Sequence, residues 1–300
     1  MDVTELTPDD LIVDLSSHNS VVNYAAMKDA NSSGWSKATQ GGGYTNPLFT
    51  TQMTGMKAAG MVPGAYHFPD NNVSVVNNVS HFVSVAGKWI TDGCLVPLLD
   101  VENDFADGVQ WTQASANTFI PSFIAELRRR VEMPDLVVVV YGSDSWWGTT
   151  LRPDTWGDLS RVILMDAMYD GVPGQTKFKH ARLGVHQYTD AALTPGVQAP
   201  TDRSVIMPGF SLSDLTIGYK VPTPQEEDDD MAQNPVLFKA EGYVGVWRDE
   251  FGNYFKLNSE NDISDLLDAF PETNQGTKKS GVWVETATLD GFLGISTTEV

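Results

Sequence analysis

The sequence predicts an α/β fold, a TIM-like (β/α) barrel, irregular in that its later connections are short, followed by a small α+β module. Three observations predict it. Short apolar runs recur about eight times in the first two hundred residues. Longer amphipathic stretches separate the early runs, the pattern of a sheet covered by helices. A proline-led acidic stretch then interrupts the pattern near residue 222. A doubly wound open sheet is the structural alternative. The chain lacks the glycine-rich strand-turn-helix fingerprint of a dinucleotide site, because no phosphate-binding helix pattern follows Gly41-Gly42-Gly43.

The elements follow in order. Residues 11–15 (LIVDL) read as a buried strand, and 35–39 as a second short run. Residues 48–59 have helical spacing and stop at Gly60, and 61–68 are strand-like. Residues 73–89 read as a helix ended by Thr91-Asp92-Gly93, and 95–101 (LVPLLDV) as a strand. Residues 111–131 form the clearest helical stretch, with Phe119, Phe123, Ile124 and Leu127 on one side. Pro121 predicts a kink or a helix start within it. Residues 136–141 (LVVVVY), 162–165, 183–188 and 205–207 complete the strand set.

Residues 1–221 are therefore read as the barrel and 222–232 as a linker, since proline stiffens it and five consecutive acidic residues repel one another. Residues 233–300 are read as the module, with strands at 236–239, 244–248, 254–257 and 282–286 and a short helix at 261–270. About 65 residues without a disulfide make only a marginal unit.

Charge and cysteine usage narrow the function. The net charge is −20. From residue 222 onward, 16 acidic residues face 5 basic ones, so the tail carries more than half of it. Such a chain is repelled by phosphate backbones and anionic lipid, which argues against nucleic acid and membrane as partners. The single cysteine, Cys94, rules out an internal disulfide and a cysteine-based zinc cluster. It reads as a small buried apolar residue. The first residues are acidic and have no apolar run, so no signal peptide is expected, and synthesis in a cytoplasm follows. No stretch has the length and apolarity of a membrane span.

In a β/α barrel the C-terminal strand ends converge on one mouth. Acidic residues at such ends are Asp14, Asp100 and Glu102, with Asp202 just before the last run. Residues i and i+2 of a strand face one side, so Asp100 and Glu102 share the mouth, their Cα atoms about 6.5–7 Å apart. Carboxyl groups that close resist joint ionisation, and one keeps its proton. Glycoside hydrolysis needs that pairing: an acid for the leaving oxygen and a carboxylate for the developing positive charge or for water. The separation does not choose between retention and inversion. A D-x-E pair is also an ordinary exposed strand end.

Tyr66 and His67 end one strand, Tyr141 another, and Gln187 and Tyr188 a third. Aromatic faces stack on sugar rings, and amides and hydroxyls bind sugar hydroxyl and acetamido groups. Each is also an ordinary core residue type, and Trp146-Trp147 could be a sugar platform or core.

Taken together these segments resemble the lysozymes of glycoside hydrolase family 25, the Chalaropsis-type muramidases common among phage endolysins. The resemblance spans roughly residues 11–208. It rests on Asp14-Leu15-Ser16, Lys37-Ala38-Thr39-Gln40-Gly41, Gly64-Ala65-Tyr66-His67-Phe68, Asp100-Val101-Glu102, Tyr141-Gly142-Ser143, His186-Gln187-Tyr188 and Asp202-Arg203, in that order. It implies metal- and cofactor-free cleavage of the β-1,4 bond from N-acetylmuramic acid to N-acetylglucosamine in peptidoglycan. Glu102 would be the general acid. Asp100 would position the acetamido group or stabilise charge, Asp14 and Asp202 would complete the acidic mouth, and Tyr66 and Gln187 would contact sugar. The chain departs from the family pattern at Asn19-Ser20 and at Met165-Asp166-Ala167-Met168-Tyr169, where a tryptophan is common.

The layout implies a phage endolysin that reaches the wall after release from the host cell. Its tail would bind wall polymers through Tyr243, Trp247, Tyr254 and Phe255, or serve assembly. The competing readings are a glycosidase of chitin or another N-acetylated glycan, and a non-catalytic wall-binding or virion structural protein on the same barrel.

Overall fold

The structure is a computed structural model. It describes residues 6–218 and four later strands, and the chain divides into two compact units, Met1–Lys220 and Val221–Val300. Among the described residues no helix is long and apolar enough to cross a membrane.

In the first unit, eight strands close into a barrel. They are β1 (Leu11–Leu15), β2 (Ser33–Gln40), β4 (Val62–Phe68), β5 (Leu98–Asp100), β6 (Val138–Ser143), β7 (Val162–Ala167), β8 (Leu183–Ala192) and β9 (Thr201–Ile206). Closure comes from β1, which pairs with β2 on one side and β9 on the other. A two-residue strand, β3 (Tyr44–Thr45), hangs antiparallel on the end of β2. Seven barrel strands run parallel and β9 runs against both neighbours. The antiparallel strand departs from the all-parallel sheet expected from sequence. A hairpin, not a helical crossover, joins β8 to β9, and a hairpin can only reverse direction.

Four helices cover the early strands: α1 (Tyr24–Ala30), α2 (Phe49–Ala58), α3 (Val75–Ala86) and α4 (Gln113–Arg130). The short α1 had no clear sequence signal, although Asn23 caps it by accepting from the Ala26 N–H. In α4, Thr112 caps the start by accepting from the Ser115 N–H, and the helix runs through Pro121. Its buried face is Ala116, Phe119, Ile120, Phe123, Ile124 and Leu127, a spacing of three and four residues. After β6 only 3-10 turns and loops remain as connections. The apolar strand faces and these helix faces form one continuous core.

Two local features shape the barrel interior. Gly64 on β4 is the Cα partner of Trp35 on β2, and a methyl group there would meet the indole at 2.5 Å. Glycine thus lets Trp35 bury completely, with its N–H donating to the Val96 carbonyl at 2.9 Å. The β2–β4 pairing slips between Lys37 and Thr39. Such bulges redirect side chains.

In the second unit, β10 (Val236–Ala240), β11 (Gly245–Arg248), β12 (Tyr254–Leu257) and β13 (Trp283–Val284) form a sheet in the order β12-β11-β10-β13. Trp247 and Phe255 are Cα partners. The linker, the helix expected at 261–270 and Tyr243 lie outside the described residues.

Candidate active site

The C-terminal ends of the parallel strands open onto one cleft. Asp14, Tyr66, Leu98, Asp100, Glu102, Tyr141, Met165, Tyr169, Gln187 and Asp202 line it. They arrive from seven of the eight barrel strands and from the segments just after β5 and β7. Asp14 is the fourth residue of β1, Asp100 ends β5, and Glu102 follows it. Asp202 lies within β9, not before it, as the Cα partner of Asp14. Because β9 runs antiparallel, its beginning lies at the mouth where the other strands end.

The chain leaving β5 is pinned. The Trp111 indole donates to the Glu102 carbonyl at 3.1 Å, and the Trp111 N–H donates to Asn103 Oδ1 at 2.8 Å. This sets where the Glu102 side chain starts. Val101 between the two acids is fully buried in the core, so Asp100 and Glu102 both turn to the cleft.

Every acid of the cleft holds its proton more tightly than usual. Burial is the main cause for Asp14, with the Asp202 charge adding to it and the Gln187 amide opposing it. Burial also dominates at Asp100, followed by the charge of Glu102, and the Lys37 ammonium pulls the other way. Glu102 is raised by burial and drawn down by Asp100 and Lys37. Asp202 is pushed up to about 6 by burial, Asp190 and Glu102. Asp14 Oδ1 and Asp100 Oδ1 are buried without hydrogen-bond partners.

The cleft therefore gathers carboxyl groups that resist joint ionisation, so that protonated and ionised members can stand side by side, the requirement for acid-assisted cleavage of a glycosidic bond. Among the described residues, no group of three His, Cys, Asp or Glu side chains is placed to hold a metal ion.

The sequence profile of Glycosyl hydrolases family 25 matches residues 13–197, more than half of the chain. The chain belongs to this family. Among curated family relatives, Lysozyme M1 of Streptomyces globisporus is 32% identical over 144 residues, covering 46% of this chain and 47% of that protein. The match thus spans about half the length of that relative. The N,O-diacetylmuramidase of Chalaropsis sp is 29% identical over 168 residues, covering 54% of this chain and 79% of that protein. The solved bacterial lysozyme from Streptomyces coelicolor superposes with a TM-score of 0.57 at 23% identity, over 68% of this chain and 94% of that one. The barrel is thus the family 25 barrel.

Of the residues singled out from the sequence, Asp14, Tyr66, Asp100, Glu102, Tyr141, Gln187 and Asp202 meet in this cleft. His67 and Tyr188 do not line it, which corrects their reading as sugar contacts. Adjacent strand residues face opposite sides, so His67 points outward where Tyr66 points in, and Tyr188 outward where Gln187 points in. His67 is fully buried, stacked on Phe123 at 5.4 Å. Its Nε2–H donates to Asn78 Oδ1 at 3.0 Å, and Nδ1 accepts from the Thr39 hydroxyl at 2.8 Å. Burial depresses its pKa to about 3 and keeps it neutral. Trp147 is core, stacked on Phe178 at 4.8 Å, and Trp146 packs against the same core.

Lys37, Met165 and Tyr169 escaped the strand-end argument. Lys37 quotes within a family motif yet had no assigned role. Its Nζ donates to Gln40 Oε1 at 2.6 Å and lies 4.5 Å from the Phe68 ring centroid. Burial lowers its pKa, while Asp100, Glu102, Asp104 and Asp107 hold the proton on. A lone lysine in the otherwise uncharged run of β2 was the available signal. Met165 lines the cleft from β7, and Tyr169 lies beyond that strand's end, where no periodicity reaches. A larger groove of about 870 Å3 is lined in part by Gln40, Tyr44, Asp70, His81 and Asp107.

Proposed function

We propose that the chain is a lysozyme, an N-acetylmuramidase that hydrolyses the β-1,4 bond between N-acetylmuramic acid and N-acetylglucosamine in peptidoglycan. The observation that carries this is the Asp100–Glu102 pair turned into a cleft that also holds Asp14 and Asp202. Glu102, part-exposed and reluctant to ionise, donates its proton to the leaving glycosidic oxygen. The nearby carboxylates oppose the positive charge that develops on the anomeric carbon, and water completes the hydrolysis. Tyr66 and Tyr141 border the same space and offer rings and hydroxyls to the sugars.

Mass spectrometry of muropeptides after digestion of purified walls tests the reading. New reducing ends at muramic acid are expected. Reducing ends at glucosamine, or faster release from chitin than from peptidoglycan, would replace it with another glycosidase. Wall binding without cleavage would make the barrel a binding protein.

The proposal extends to a phage endolysin that acts on the wall once released from the host cell, its second unit holding wall polymers. The barrel-plus-acidic-unit layout supports this. Wall pelleting of the full chain against a chain ending at residue 220 tests the second unit, and equal pelleting removes that role.

A further inference from the structure

Tyr169 stands just beyond β7, half exposed, at the rim of the cleft. Its hydroxyl has two partners, Gln187 Oε1 at 2.7 Å and the Tyr141 hydroxyl at 3.1 Å. Gln187 Nε2 in turn donates to Asp14 Oδ2 at 3.1 Å. Counting protons fixes the direction of this chain. An amide oxygen only accepts, so Tyr169 donates to Gln187. A phenol has one proton, so the remaining bond must come from Tyr141. Three donors in a row therefore end on a single carboxyl oxygen.

The other oxygen, Asp14 Oδ1, is buried and has no partner. If the Gln187 amide turned over, its oxygen would face Asp14 Oδ2. That arrangement repels a carboxylate and requires the proton of a neutral Asp14 to sit on Oδ2. With the amide held as it is, Oδ2 is occupied as an acceptor, and any proton Asp14 carries sits on Oδ1. The groups facing Asp14 are Asp202 and the Ser204 hydroxyl on β9, Tyr66 on β4 and Asp100 on β5, besides Gln187 on β8.

We propose that Tyr169 is a positioning residue of the glycan cleft, holding the Gln187 amide so that it donates to Asp14 Oδ2 and favours the Asp14 carboxylate. Its hydroxyl is consumed by this task. The half-exposed ring is left as one wall of the cleft, available to stack on a sugar face. The inference rests on the lysozyme reading, so one of its tests does not need turnover.

Tyr169→Phe keeps the ring and deletes the hydroxyl. On solubilised peptidoglycan strands, kcat is expected to fall about tenfold with KM within about twofold. The limb of the pH–kcat profile set by Asp14 moves to higher pH, because a freed amide no longer favours the carboxylate. Tyr169→Ala removes the ring as well and raises KM. A tyrosine that merely packs would lower thermal stability and leave the pH profile in place. Unchanged kcat and pH profile in Tyr169→Phe overturn the proposal.

The independent readout is the Gln187 side-chain amide in 15N-labelled protein, assigned by its loss in Gln187→Glu. Its pH titration should inflect at higher pH in Tyr169→Phe than in the parent. Identical titrations overturn the proposal whether or not the chain cleaves walls. A shifted titration in a protein that cleaves no peptidoglycan retires the lysozyme reading alone.

Discussion

On three strands of this barrel, neighbouring residues meet different surroundings. Tyr66, Met165 and Gln187 turn into the cleft, while His67, Asp166 and His186 are fully buried in the layer outside it. Both sets include groups capable of acid–base chemistry. The inner set sits among four carboxyl groups and borders solvent, so its polarity is available to a ligand. The outer set is enclosed by helices and loops. There, His67 spends both ring nitrogens on Asn78 and Thr39, and His186 spends its own on Gly174 and Met168. A polar side chain at a strand end is thus not evidence of a site until its parity along the strand is known.

The largest expected effect lies on the inner face. Glu102→Gln removes the proton donor and keeps the shape, and a general acid accounts for about a hundredfold to ten-thousandfold in rate. Turnover of purified peptidoglycan should fall about a thousandfold, with the unfolding temperature unchanged to within about 2 °C. Near-parental turnover in a folded variant would remove Glu102 from its assigned role.

The adjacent residues of β4 give the next contrast. His67→Ala empties a packed site between Phe82 and Phe123 and strips the Thr39 hydroxyl of its partner. The expected cost in folding stability is about 2–4 kcal/mol, measured by urea titration, with kcat per folded molecule within about twofold. Tyr66→Phe should do the reverse, lowering turnover severalfold and leaving stability nearly intact. If His67→Ala instead slows a fully folded enzyme, the division between inner and outer faces fails.

Much of this was legible in the sequence. The run 11–15 coincides with β1, and the spacing of two between Asp100 and Glu102 correctly placed both on one side. The rule that found that pair also forbids Tyr66 and His67 from sharing a face, and likewise Gln187 and Tyr188. The period of two therefore leaves one member of each pair in the cleft and turns the other outward. Asp202 was found as an acid near a strand, but its place at the mouth depends on β9 running backwards, and no local pattern encodes strand direction. Tyr169 owes its position to a loop and to contacts with residues 28 and 18 positions away. Lys37 is visible as the one charge in an otherwise uncharged strand, but its proximity to Asp100 and Glu102 depends on barrel closure.

Asp166 sharpens the comparison in the other direction, since it is an acid with a strongly perturbed pKa that does no chemistry in the cleft. It lies on β7 between Gly142 and His186, fully buried, with both carboxyl oxygens unpartnered. Burial, then the Asp144 charge, push its pKa up to about 7, against the pull of the Trp147 indole, Lys179 and Lys177. In the unfolded chain an aspartate titrates near about 3.9. Between those two values the folded protein binds a proton that the unfolded chain does not. Stability from this group is therefore complete below about pH 4, declines as pH rises, and is lost above about pH 7. Asp202, with its pKa also raised, tilts the parent protein the same way, so the diagnostic quantity is the difference between parent and variant. Asp166→Asn is neutral at every pH. Its unfolding temperature relative to the parent should rise from pH 5 to about pH 7 and level off above that, while kcat stays within about twofold. A difference that does not change with pH would mean that Asp166 finds a partner when ionised. Lys179 is one candidate among the charges near it, and the outer face would then be less closed than its geometry shows.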